Sequence, residues 1–177
     1  MTHELTIAAR RAVITQARQD AAFRAHLEHD GLAAIAEVTG VTLPATMAIH
    51  VVEEPGEGHF IGTLPRTAAL ADGLPEPARF RDVWENLLLS TALLDAEARA
   101  ELLDDPVKFA QELSGNFPGT RLDILEETET ETYLVIDHIG AADDELDAFA
   151  LDLVAGGGGN PNCQLATSGS SRSDKVC

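Results

Sequence analysis

The apolar positions of this chain change period in a set order, and the order comes round twice. In "DAAFRAHLEHDGLAAIAEVTG" (Asp20 to Gly40), Phe23 and Leu27 stand four apart and so share one helix face. Asp30-Gly31 breaks that helix and opens a second, which Gly40 closes as a left-handed C-cap. "MAIHVVEE" then alternates, with Ile49 and Val51 on one face, as a half-buried strand does. "PGEG" (Pro55 to Gly58) reads as the tip of a hairpin leading to a second strand.

"DAEARAELLDDPVKFAQELSG" (Asp95 to Gly115) lies over the first helical stretch without a gap. Asp20 falls on Asp95, Arg24 on Arg99, Leu27 on Leu102, Asp30 on Asp105, Glu37 on Glu112 and Gly40 on Gly115. After a slip of two residues, "IHVVEE" falls on "LDILEE" and Phe60 on Tyr133. Asp105 suits a helix cap and Pro106 the first helical position, where a missing N–H costs nothing. "ETETE" is the corresponding turn of the second copy. The repeat is too long for a solenoid unit. It predicts an α+β fold of two units, each helix, helix and β-hairpin, packed as a pseudo-duplicate. Residues 1–70 form the first unit, the Pro- and Gly-bearing 71–79 a linker, and 80–140 the second unit.

Residues 141–157 have another character. Leu146, Phe149, Ala150, Leu153 and Val154 follow the spacing of an amphipathic helix. Asp143 and Asp144 suit its N-terminus, where the helix dipole favours negative charge. Gly156 to Gly159 stop it. Beyond them Leu165 and Val176 are almost the only bulky apolar residues, which predicts a disordered tail over 158–177.

Charge narrows the partners. The chain of 177 residues has a formal net charge of -18, and the basic residues Arg172 and Lys175 of the tail place that acidity in the body. Phosphate binding rests on clustered Lys and Arg, so nucleic acid and anionic membranes are poor partners. No apolar run approaches the roughly 20 residues of a membrane span, and "MTHELTIAARRAV" lacks the apolar stretch of a secretory signal. The expectation is a cytoplasmic protein without membrane insertion.

The body offers little catalytic chemistry. His50, Glu53, Glu54 and His59 could be drawn as a metal site, but on alternating strands such residues read as solvated edge positions. His26 and His29, three apart on a helix, read the same way. No phosphate-binding glycine loop precedes a helix. Neither an enzyme nor a cofactor is expected. Both thiols, Cys163 and Cys177, lie in the tail, with Thr167, Ser168, Ser170, Ser171 and Ser173 between them.

"EVTGVTLPATMAIHVVEEPGEGHFIGTLP" (Glu37 to Pro65) resembles the nitrile hydratase-type leader peptides of ribosomally made, post-translationally modified peptides. The likeness rests on the TG-x-x-LP turn, the apolar strand, the "VVEE" step and the second strand ending in "LP". "ELSGNFPGTRLDILEETETETYLVI" (Glu112 to Ile136) is a more diverged copy, and "ELDAFALDLVAGGGG" resembles a double-glycine leader end. Two tandem units depart from the single unit expected. The cysteine cluster that holds metal in nitrile hydratase itself has no counterpart here, since the first 162 residues contain no cysteine.

The resemblance implies a precursor. Its leader recruits a peptide-modifying enzyme, either a dehydratase-cyclase or a radical enzyme, and a transporter with a cysteine-peptidase domain cuts after the double glycine and exports the core. A cut after Gly157, with Gly156 before it, puts Leu146, Leu151 and Val154 at upstream positions such peptidases read. Residues 158–177 are then the core, a product secreted from the cell. Dehydration of a Ser or Thr and attack by a thiolate would give a lanthipeptide thioether. Cys177 has all five hydroxyls on its N-terminal side, whereas Cys163 would have to close forward. A disulfide between the two, worth ~3 kcal/mol for a loop of about 15 residues, and a radical sulfur-to-carbon cross-link stay open. The alternative for the whole chain is an inactive nitrile hydratase α-like adaptor with a flexible or disulfide-closed tail.

Overall fold

Eleven elements succeed one another in the computed structural model, which describes residues 5–137 except 57, 71 and 116. Helices α1 (Ile7–Gln19), α2 (Ala21–His29) and α3 (Gly31–Thr39) lead into strands β1 (Ala48–Glu53) and β2 (His59–Leu64). A 3-10 turn at Thr67–Leu70 precedes α4 (Phe80–Ala92), α5 (Ala96–Asp104), α6 (Pro106–Ser114), β3 (Arg121–Glu126) and β4 (Glu131–Ile136). The fold is α+β. Each half runs through helices of 13, 9 and 9 residues and two strands of 6.

Local chemistry explains the helix boundaries. Asp20 ends α1 and caps α2, its carboxylate accepting the Ala22 and Phe23 N–H groups at 2.8 and 3.1 Å. Asp95 does the same for Glu97 and Ala98 before α5. Asp30 and Asp105 cap the third helix of each half through Ala33 and Lys108, with Pro106 in the first turn of α6. Gly40 and Gly115 end those helices at φ 68° and 74°, a left-handed conformation that glycine adopts without a Cβ clash.

Two features correct the expected helix–helix–hairpin unit. Each half has a third helix, α1 or α4, ahead of the expected pair. The strands also do not form hairpins. β1 pairs in parallel with β4, Val51 opposite Leu134, and β2 pairs in parallel with β3, Ile61 opposite Asp123. Each sheet thus takes one strand from each half, so neither half closes a sheet by itself. Parallel strands need a crossover of a dozen or more residues, and residues 65–120 supply the one between β2 and β3.

The cores are shared in the same way. One packs Val13, Phe23, Leu27 and Ile35 of the first three helices against Leu134 and Ile136 of β4. The other packs Trp84, Leu88, Leu102 and Phe109 of the last three helices, with Leu122 of β3, against Leu64 of β2 and Ile7 of α1. Phe60, Trp84 and Phe117 meet edge-on or tilted at centroid distances of 5.2 to 5.9 Å inside it.

Leu134 is fully buried among helices that belong to the other half of the chain. Leu134→Ala should cost about 2–5 kcal/mol, read as a lower urea midpoint. Hydrogen exchange should show protection lost in α2 and α3, not only in the second half. Loss confined to α4–α6 would contradict the shared core.

Candidate functional site

The residues that the sequence marked for processing and modification lie outside the described residues. These are Gly156 and Gly157, Leu146, Leu151 and Val154, Cys163 and Cys177, and Thr167, Ser168, Ser170, Ser171 and Ser173. What the structure shows is the body that precedes them in the chain, as far as Asp137.

The four residues weighed as a metal site do not converge. His50 stacks on Tyr133 at 5.0 Å, with its Nε2 3.7 Å from Glu131. Glu53 pairs with Arg24. His59 Nε2 lies 2.7 Å from Asp123. Among the described residues no three His, Cys, Asp or Glu side chains form a group able to hold a metal ion. His26 Nδ1 sits 3.6 Å from Glu37, on the exposed side of α2.

Glu54 corrects the reading of a solvated edge. Its side chain is 6% exposed and forms a buried ion pair with Arg81, itself 9% exposed. Glu54 Oε1 also accepts the Ile61 N–H at 2.8 Å, while Arg81 Nη2 donates to the Ile61 carbonyl at 2.6 Å. Both main-chain groups of Ile61 are thereby taken by side chains on the edge of β2 away from β3. A β1–β2 hairpin has nowhere to form. Arg81 further donates from Nε to Glu85 at 2.9 Å and lies 5.5 Å from the Trp84 ring.

The other half repeats the arrangement. Arg10 pairs with Glu127, Nη2 donating to Oε2 at 2.6 Å, and the two side chains are 8% and 4% exposed. Glu127 Oε1 accepts the Tyr133 N–H at 3.0 Å, and Arg10 Nη1 donates to the Tyr133 carbonyl at 3.2 Å. Thr132 Oγ1 donates to Glu127 as well, and Arg10 Nε donates to the Leu5 carbonyl at 3.1 Å. Each clamp joins the first helix of one half to the strands of the other. Arg10 and Arg81 were not singled out from the sequence. The signal was there: Ile7, Arg10, Val13 and Ala17 form one buried helical stripe, so Arg10 sits at a core position.

Charge chemistry fits these roles. Burial alone would lower the pKa of Arg81, but Glu85 and Glu54 outweigh it and the guanidinium ends above its ordinary value. Stability from a raised cationic group is lost only as pH climbs past that value, so Arg81 stays charged at any working pH. On the surface, the hydrogen bond from Arg121, aided by His59, holds the Asp123 carboxylate below its usual range. Its contribution is present above the unfolded value and fades as pH falls. At so exposed a position it is small.

Two small clefts, one beside Arg10 and Glu127 and one beside Trp84, hold about 10 Å³ each, near the size of one water. A broader concavity among the described residues is a groove of about 870 Å³ between the outer face of α1 and residues 75–82. Ala8, Ala12, Val38, Pro75 and Ala78 supply its apolar lining, and Arg11, Arg18 and Arg79 line it too. Arg11 Nη2 holds the Asn86 Oδ1 at 2.7 Å and Arg79 Nη1 holds Asp137 at 2.6 Å. Asp137, also 3.4 Å from Arg18 Nε, is the last described residue. The C-terminal end of the described chain therefore sits at the rim of this groove.

No family model, curated protein or solved structure matches the chain.

Removing one member of a clamp strands a buried charge. Glu127→Ala should cost about 3–5 kcal/mol by leaving Arg10 unpaired. The double variant Arg10→Met/Glu127→Leu should recover much of that, though not all, because the Tyr133 N–H then lacks its acceptor. Urea unfolding of the two singles and the double reads the coupling. Strict additivity would show that the pair does not act as a unit.

Proposed function

We propose that the chain is the precursor of a modified peptide, in which the acidic body is a removable leader and residues 158–177 are the cargo. The observation that carries this reading is where the chemistry lies along the chain. Both cores and both Arg–Glu clamps are complete by Ile136, while every cysteine and the double glycine come later. The resemblance of Glu37 to Pro65 to nitrile hydratase-type leaders supports it. In those residues the "VVEE" step has a physical purpose: its second glutamate, Glu54, is half of a buried clamp.

A folded leader works by tethering. Docked on a modifying enzyme, the body holds the tail at an effective concentration in the millimolar range, although the free tail would bind weakly. Lanthipeptide chemistry is the version the residues favour. A Ser or Thr hydroxyl, activated by the enzyme, leaves as water with its α-proton and gives an alkene. The thiolate of Cys177 or Cys163 then adds to the β-carbon, and the α-carbon takes a proton. The thioether forms without change of overall oxidation state. A transporter peptidase cutting after Gly157 would release the product.

The shared sheets bear on recognition. A partner enzyme meets a surface built by both halves, because the strands of either half are paired with the other's. The repeated element series is what duplication of one small unit would leave behind.

Co-expression with a neighbouring dehydratase-cyclase and mass analysis of the tail tests the reading. One water lost per modified hydroxyl among Thr167, Ser168, Ser170, Ser171 and Ser173 is expected, with thiols that no longer alkylate. Leu134→Ala, which loosens the body, should lower the extent of modification without touching the tail. An unmodified tail with every neighbouring enzyme, and thiols free in material isolated from the producer, would overturn the proposal.

A further inference from the structure

The groove along α1 is open on the face that α1 turns away from its core. Ala8, Ala12, Thr15 and Gln19 are exposed there at helical spacing, and the small residues leave room for another helix to approach closely. Pro75 and Ala78 form the opposite wall. Bulky apolar side chains laid between these walls would be covered on two sides, whereas the groove's own lining has few that reach across it.

The geometry points to an occupant in the same chain: residues 141–154 dock in the groove between α1 and residues 75–82, their Leu146, Phe149, Leu153 and Val154 stripe against Ala8, Ala12 and Pro75.

Three observations carry this. The first is where the described chain ends. Asp137 is held at the rim by Arg79 and Arg18, both lining residues, so the segment begins at the site. Residues 138–140 span at most about 10 Å when extended, enough to turn into the groove and too little to carry the next residues across the molecule. The second is shape. The groove's volume of about 870 Å³ suits a few large side chains from one face of a helix, not an entire small domain. The amphipathic stripe of 141–154 supplies such a face.

The third is charge, the smaller part. The lining carries Arg11, Arg18 and Arg79 against Glu76 and Asp82, a near balance of charge in a chain of net charge -18. Asp137, Asp82 and Glu85 already engage these arginines. What remains is a local field less hostile than the rest of the surface to Asp143, Asp144, Glu145, Asp147 and Asp152. Burial of the stripe supplies the attraction, and the near balance of charge in the lining opposes the acidic segment less than a face of carboxylates alone would.

The contact does not rest on the precursor reading. If that reading holds as well, docking covers Leu146 and Val154, two residues a leader peptidase would need, while Leu151 falls off the stripe and stays outside. The body would then guard its own cut site until a partner draws the segment out.

Nuclear magnetic resonance of the isotopically labelled full chain tests the contact. Phe149→Asp/Leu153→Asp alters the apolar stripe of the segment and leaves every described core residue unchanged. Its largest amide shifts outside the tail should fall on Ala8, Ala12, Thr15, Gln19 and residues 76–79. Ala12→Glu, at an exposed groove position, should in turn move the amides of 141–154. Dilution should leave both effects unchanged. Groove amides that stay in place in the tail variant would overturn the proposal. So would shifts that vanish on dilution, which would assign the groove to a second copy. Neither result bears on whether the tail is modified, so the two proposals fail separately.

Discussion

Two buried arginine–glutamate clamps hold the strand arrangement on which everything else depends. An ion pair taken out of water recovers its desolvation cost only when the remaining hydrogen-bonding groups are also satisfied. Both clamps meet that condition through the backbone. The carboxylate takes the N–H, and the guanidinium the C=O, of the same strand residue, Ile61 in one case and Tyr133 in the other. A side-chain pair thus stands where a neighbouring strand would otherwise bond. That closes one edge of β2 and of β4 against the hairpins their spacing invites, and against foreign strands as well.

The cross-connection follows. Arg10 lies in the first half and Glu127 in the second; Arg81 lies in the second and Glu54 in the first. Together with the parallel pairs β1–β4 and β2–β3, the clamps make each half a structural requirement of the other. Apolar packing has the same crossed character, since Leu134 and Ile136 complete the first core and Leu64 the second. For a chain whose surface is strongly acidic, this interlocking confines the charges that must be buried to a few satisfied sites and leaves the rest solvated.

Much of the helical framework was legible in the sequence because its signals are local. Asp20, Asp30, Asp95 and Asp105 cap through their own neighbours, and Gly40 and Gly115 answer a conformational demand at a single residue. The repeat also brought out α2, α3, α5 and α6. It passed over α1 and α4, where the gap-free overlay brings only Ala17 onto Ala92 and the two clamp arginines, Arg10 and Arg81, fall out of register. Strand pairing was illegible because it is decided at a distance. Glu54 looks like any strand-end carboxylate until Arg81 is brought against it, and a five-residue gap containing Pro55 and Gly56 reads as a hairpin. The residues that the sequence suggests for processing and modification lie outside the described residues.

The crossed strands have a consequence in time. A ribosome adds roughly 5–20 residues per second, and the first three helices, β1 and β2 emerge long before their partners β3 and β4. Until Glu126 has been made neither sheet has both its strands, the Arg10 pocket waits for Glu127, and the β1–β4 sheet waits for Ile136. The body therefore matures only as its own C-terminal extension is being translated.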